Sequence, residues 1–319
     1  MGADNEMSFA HLRNVRLIAL MLFRRAYSEI QNTDRRWWKD PCLRLNIFHC
    51  TGLYWCVFYL GYDASLLNGL QAMESWNAYF GSPEGNTLGL ISASLFLPAI
   101  VTPYIASFIS DRWGRKMCLA VGSLVLILGA CINAFANSLG MFIAGRTLVG
   151  AAGPFGKITA IALMHEIAHP RLRPIVATCY YSNYYIGSLA AAWFCFGSRY
   201  WGETNNWGWR APCLFQITAP LIMLAFLLVI PESPRYLVRH GKVEKAMNIL
   251  VRYHANGDHD DELVKYEYRE ICHALEMEKE NKKTKYLDFF KTSGNRRRLL
   301  VLTTLATGTN WYVVRVPYP

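Results

Sequence analysis

Apolar residues come in long blocks along this chain, separated by short stretches that hold most of the charge. A helix that crosses a bilayer needs about 20 mostly apolar residues. Six blocks reach that length, at 46–69, 87–109, 117–135, 139–163, 175–197 and 212–230, and a seventh begins near Leu299. The pattern predicts an all-α membrane protein, because a helix pairs its own backbone groups where no water is present to do so. The segment from 231 to 298 follows a different rhythm. In "PESPRYLVRHG", Ser233 stands where it can cap a helix, Pro234 at its first position and Gly241 at its stop. Val243, Ala246, Met247, Leu250 and Val251 then repeat at helical spacing, as do Val264, Tyr268, Ile271 and Leu275. Such faces need a surface to pack on, and the inner ends of the spans supply one.

The basic residues set the orientation. Eight Lys and Arg precede the first span, and fifteen lie in 231–298. Arg112, Arg115 and Lys116 fall between spans two and three, and Arg171 and Arg173 between spans four and five. The alternate loops at 70–86 and 136–138 hold none, and 198–211 holds only Arg199 and Arg210. Basic loops stay on the cytoplasmic side. The chain therefore divides into a cytoplasmic amino-terminal segment (1–45), a six-span body (46–230), cytoplasmic amphipathic helices (231–298) and an incomplete seventh span with a divergent end (299–319).

Composition narrows the function classes. With 53% hydrophobic residues the chain is too apolar for an ordinary soluble domain. Its net charge of +10 sits in flanks between apolar blocks, not along one stripe interleaved with aromatics. That favours a lipid bilayer with an anionic inner leaflet as the partner over nucleic acid. The nine cysteines show no metal-ligand spacing and read as small buried hydrophobes. "LIALMLF" at 17–23 is too short for a signal peptide and lacks a cleavage site, so it reads as an interfacial helix. No nucleotide loop, metal pair or catalytic constellation is present, so neither an enzyme nor a bound metal or cofactor is expected.

An ionisable group at membrane depth is costly unless paired or hydrated, and it marks function by default. Three lie well inside the spans: Asp63, Arg146 and Lys157. Asp63 stands roughly 25 Å along span one at 1.5 Å per residue. Arg146 stands about seven residues into span four, which runs the other way, so both reach similar depth in the outer half. Two readings follow. Either Asp63 carries a transferable proton and Arg146 holds it ionised until substrate or water intervenes, or the two form a static ion pair that fixes helix packing. In "GRTLVGAAGPFGK" the small residues Gly145, Gly150, Ala151, Gly153 and Gly156 keep one helix slim for close packing. Lys157 has no assigned partner and is long enough to reach toward the cytoplasmic face.

Several motifs then fall in one order: "GYD" (61–63) late in span one, "DRWGRK" (111–116), "GRTLVG" (145–150), Glu166 and Arg173 with Pro170 between them, "WRAPCLFQ" (209–216) entering span six and "PESPRYL" (231–237) after it. With them, residues from about 43 to 310 resemble the sugar porter family of the major facilitator superfamily, in wording most similar to fungal lactose-permease-like and hexose transporters. The resemblance implies a plasma-membrane transporter of two six-span halves that moves a mono- or disaccharide by alternating access. This chain would hold the first half, with the proton as coupling ion. Asp111, Arg112, Arg115, Glu166, Arg173, Glu232 and Arg235 match the family's cytoplasmic charge network, which latches the halves together. Asp63 and Arg146 match positions that the family associates with proton coupling.

Departures from the family pattern bear on the substrate. Where many sugar porters carry a sugar-contacting glutamine in span five, this chain has Tyr181, with Asn183 nearby, and Pro174 replaces a glycine. The paired glutamines of span seven align with Thr304 and Leu305, although Gly308 and Asn310 fit. Tyr181, Asn183, Gln216, Asn310 and Trp311 are the candidate sugar contacts. Tyr62, Tyr180, Tyr184 and Tyr185 stand as a possible aromatic rim, although interface belts use such residues too. Only sixteen residues run from Leu299 to Val314 before Arg315, Pro317 and Pro319. The expectation is a truncated form of a longer transporter; the alternative is a non-transporting sugar sensor or regulatory half that docks on a full-length relative.

Overall fold

The computed structural model describes residues 36–201, 205–281 and 288–314, with backbone alone at 280–281, 288–289 and 309–314. The interfacial helix expected at 17–23 lies outside these residues, as do Arg315, Pro317 and Pro319. Every apolar block is helical. α1 (Pro41–Gln71) starts where Asp40 accepts the backbone N–H of Cys42 and Pro41 fills the first turn without needing a partner. After the short α2 (Glu74–Phe80), the second block is split into α3 (Asn86–Phe96) and α4 (Thr102–Trp113). Pro98 and Pro103 lack the N–H that a continuous helix requires, and a 3-10 turn at Leu97–Ile100 bridges the break.

α5 (Arg115–Ala134) follows a tight turn at Gly114, whose φ of 100° is a left-handed value open to glycine. α6 (Leu139–Ile167) begins at Ser138, which accepts the N–H of Met141, and α7 is Arg173–Ser198. The sixth block is also broken, into α8 (Trp207–Phe215) and α9 (Thr218–Val229). The cause is Pro220, which cannot donate to the carbonyl four residues back, that of Gln216. The stretches 86–113, 115–134, 139–167 and 207–229 are long and apolar enough to cross a membrane. α1 and α7, at 31 and 26 residues, are long enough and carry more tyrosine and other polar groups.

α1 runs against α7 and α5 against α6, while α9 closes on α1 and α3 and α4 lie on α6. The α1–α7 crossing depends on two glycines. A Cβ on Gly61 would collide with the carbonyl of Tyr184, and one on Gly187 with that of Phe58. The core has two main clusters. One, around Leu53, Leu163 and Tyr180, lies toward the end that the sequence places in the cytoplasm; the other, around Trp76, Phe142 and Trp209, lies toward the opposite end.

Beyond the six blocks come α10 (Pro234–Arg239), α11 (Val243–His254) and α12 (Glu262–Asn281). The predicted cap is present, with Ser233 Oγ accepting the N–H of Tyr236 at 3.1 Å. Residues to Tyr268 form one compact unit and those from Arg269 another. The second unit holds the rest of α12, α13 (Asp288–Lys291) and α14 (Ser293–Val314). The helix of the seventh block begins six residues before the predicted Leu299 and takes in Arg296, Arg297 and Arg298.

Candidate functional site

The two opposite charges predicted at similar depth are in contact. Arg146 Nη1 donates to Asp63 Oδ1 at 2.8 Å, with side-chain exposures of 1% and 7%. Gln216 Nε2 donates to the same oxygen at 2.9 Å. Gln216, read from sequence as a sugar contact, is thus buried against the carboxylate. The break before Pro220 sets it there, because the chain turns between α8 and α9 at that residue. Such bonds to an ionised group in a dry setting are strong. Arg146 Nε and Nη2 and Gln216 Oε1 find no partner among the described residues.

One side of Asp63 borders a cavity of about 500 Å³, which α6 and α7 line with Lys157, Tyr180, Tyr181, Tyr184 and Tyr185. The Tyr180 hydroxyl is buried and finds no partner among the described residues, whereas Tyr181 and Tyr185 are exposed. Tyr62 does not join this wall. Its hydroxyl donates to the Pro212 carbonyl at 2.8 Å on another side of α1, so it ties α1 to α8. Asn183 Nδ2 donates to the Cys179 carbonyl of its own helix at 3.0 Å. Asn310 and Trp311 lie in the last turns of α14, at positions where only the backbone is described.

At the other end, charge gathers around Arg115. Its guanidinium grips Glu166 through two bonds, Nε to Oε2 at 3.2 Å and Nη2 to Oε1 at 3.3 Å. Nη1 donates to the Ser110 carbonyl at 2.9 Å and reaches Asp111 at 3.4 Å. Glu232 accepts the backbone N–H groups of Arg115 at 3.1 Å and Lys116 at 3.3 Å, which binds the segment after α9 to the first turn of α5. A carboxylate at a helix amino terminus is favoured by the local dipole.

The remaining predicted members of this network differ. Arg112 contributes its backbone carbonyl, which accepts from the Tyr236 hydroxyl at 3.3 Å, while its side chain is exposed. Arg173 Nη2 turns to the Ala168 carbonyl at 3.4 Å, and Arg235 is half-buried on α10. Arg239, which sequence reasoning missed, pairs with Asp111 at 3.4 Å. The signal was its place four residues after Arg235 on one helix face.

A third polar cluster had no forewarning. His254 ends α11 with both ring nitrogens facing acceptors: Nδ1 to Glu267 at 2.6 Å and Nε2 to the Ile167 carbonyl at 2.8 Å. Asn46 Nδ2 donates to the same carbonyl at 2.8 Å, and Asn46 Oδ1 accepts the N–H of His169 at 3.2 Å. Burial opposes charge on His254, but Glu267 and the Ile167 carbonyl outweigh it and hold its pKa above the ordinary 6.5. Next to it, burial and then the charge of His254 push His169 down to about 4. α11 and α12 are fastened to the end of α6 by this imidazole.

The family model described as "Sugar (and other) transporter" matches residues 50–312. Among similar proteins, the high-affinity glucose transporter of Kluyveromyces lactis is 27% identical over 239 residues, covering 72% of this chain and 42% of the relative. The H(+)/hexose cotransporter 1 of Parachlorella kessleri is 30% identical, covering 68% of this chain and 42% of the relative. The chain spans about half the length of the curated relatives it matches. In fold it is similar to the proton:xylose symporter XylE bound to 6-bromo-6-deoxy-D-glucose, with a TM-score of 0.66 at 20% identity over 78% of this chain and 56% of that one. With its helical bundle, its ordered motifs and this match, the chain belongs to the sugar porter family of the major facilitator superfamily, a family of integral membrane transporters.

Proposed function

We propose that this chain forms the first half of a proton-coupled secondary transporter for a sugar, working by alternating access in the plasma membrane with its amino terminus and residues 231–298 in the cytoplasm. The observation that carries the reading is Asp63, a buried carboxylate shared by Arg146 and Gln216 that also borders a tyrosine-walled cavity of about 500 Å³. The volume suits a small ligand, and tyrosines can offer both a ring face and a hydroxyl to a sugar. In the proposed cycle a proton on Asp63 weakens its hold on Arg146 and Gln216, loosening α1 against α6 and the α8–α9 turn. Sugar in the cavity and proton on Asp63 then move together. At the other end, the Arg115, Glu166 and Glu232 bonds act as a latch that joins the α4–α5 turn, α6 and the 231–239 segment. The relatives have about twice this length, and the wall facing the tyrosines is proposed to come from a second six-helix body.

The experiment is hexose uptake into vesicles under an imposed pH gradient, with this chain alone and with the second half of a relative supplied in trans. Asp63→Asn is expected to abolish accumulation driven by the gradient while leaving downhill exchange. Unchanged gradient-driven accumulation in the variant overturns the coupling role.

A further inference from the structure

The cavity holds a charge that the proposed cycle leaves unused. Lys157 lies ten residues before the end of α6, and its exposed side chain lines the cavity. At 1.5 Å per residue that places it about 15 Å from the end of the helix. A cation at such depth is costly unless something answers it. Lys157 forms no hydrogen bond or ion pair among the described residues. The one acid on the cavity wall, Asp63, is already held by Arg146 and Gln216. Among the described residues the wall therefore presents an ammonium group without a counter-charge, together with the unpartnered Tyr180 hydroxyl and the exposed Tyr181 and Tyr185.

We infer that the ligand of this cavity is an anionic polyhydroxy compound, a sugar acid, whose carboxylate pairs with Lys157 while the tyrosines hold its ring and hydroxyls. The inference rests on the proposed reading of the cavity as the sugar site and names the class of sugar. A neutral sugar would leave the ammonium desolvated and unanswered. A carboxylate would accept from it in a charge-assisted bond, stronger than a neutral one. A phosphate group, free or on a lipid, shares part of this chemistry but lacks the ring and hydroxyls that the tyrosines would meet.

Equilibrium binding decides. The full chain, with the second half of a relative supplied in trans to complete the cavity, is placed in nanodiscs of phosphatidylcholine alone, which excludes anionic lipid headgroups, and radiolabelled D-galacturonate is compared with D-galactose. The expected preference for galacturonate is about tenfold or more. Lys157→Met should bring the ratio of the two affinities close to one, and Lys157→Arg should preserve most of it. Galactose binding as well as galacturonate to the unaltered chain overturns the sugar-acid inference and leaves the sugar-transport reading standing. Inorganic phosphate competing as well as galacturonate also overturns it, assigning Lys157 to anions in general. Binding of neither sugar overturns both readings.

Discussion

Two clusters of charge sit in the six-helix body and differ in how far water reaches them. Arg146 and Asp63 are 1% and 7% exposed, and one neutral amide, that of Gln216, completes the group. Arg115 and Glu166 are 10% and 15% exposed, and their surroundings include a second carboxylate from Glu232, a third from Asp111 and the Ser110 carbonyl. The first cluster is small and dry, so each member depends on the others. The second is larger and partly wet, so any one bond can be replaced by a neighbour or by solvent. A group that must hold a proton until the right moment suits the first setting, whereas a contact that must open and reform suits the second.

Removing one partner from the dry pair tests this difference most severely. Arg146→Met leaves Asp63 buried with only Gln216 and is expected to destabilise the chain by about 3–5 kcal/mol, the cost of an uncompensated buried charge. The double variant Arg146→Met with Asp63→Asn should recover most of that loss. Denaturant unfolding in detergent, followed by circular dichroism, measures both. Equal losses in the single and double variants would show that Arg146 acts through packing.

The counterpart of that pair at the edge of the bundle is His254, buried yet beside solvent-facing helices. His254→Asn removes the imidazole bond to the Glu267 carboxylate and should cost about 1.5–3 kcal/mol. The wild-type docking of α11 should also depend on pH. Because the folded pKa of His254 is raised above 6.5, its contribution is complete below about 6.5 and is lost as pH rises through the raised value. His169 works the other way: its folded pKa of about 4 makes it a cost as pH falls below 6.5. The protection of α11 against hydrogen exchange, taken relative to the intrinsic rate at each pH, should therefore be greatest near pH 6.5 and smaller on either side. Glu267→Gln should remove the alkaline limb alone; a limb that survives it would have another origin.

Glu166→Gln is expected to cost less, about 1–2 kcal/mol, since Arg115 keeps the Ser110 carbonyl and Asp111. The same unfolding measurement checks it. A loss as large as that of Arg146→Met would erase the distinction between the two clusters.

How much of this the sequence carried depends on what each residue needed in order to be seen. The spans were legible because lipid demands unbroken apolar runs, and Asp63 and Arg146 stood out against them. Opposite directions of travel along two helices were enough to put them at one depth. Gln216 was visible as a polar residue in an apolar block, but its partner depends on a break caused by Pro220 and on how α9 meets α1. Lys157 was equally visible and equally unplaceable, because which side of α6 faces the cavity is decided by α3 and α7. Tyr62 and Tyr180 read alike, yet they point to different neighbours from different helices. His254 gave no signal at all. A histidine in the last turn of a basic amphipathic helix looks solvated until Ile167, 87 residues away, offers its carbonyl.

The smallest expected effect closes the series. Arg239 and Asp111, 28% and 47% exposed at 3.4 Å, form the wettest contact of the second cluster. Pairs this exposed contribute about 0.2–1 kcal/mol. Their attraction acts through a Debye length of about 10 Å at 0.1 M salt, which shrinks to about 3 Å at 1 M. Arg239→Gln should therefore lower stability by a few tenths of a kcal/mol at low salt and by nothing measurable at high salt, while the deficit of Arg146→Met stays the same in both. The contrast follows from burial alone: ions screen little of a pair that is only 1% and 7% exposed. If salt were to relieve the Arg146→Met variant as well, the Asp63 site would be open to bulk solution, and a carboxylate so exposed would equilibrate its proton with both substrate-loaded and empty cavities. Coupling requires that it does not, so the salt titration tests the dryness on which the proposed proton step depends.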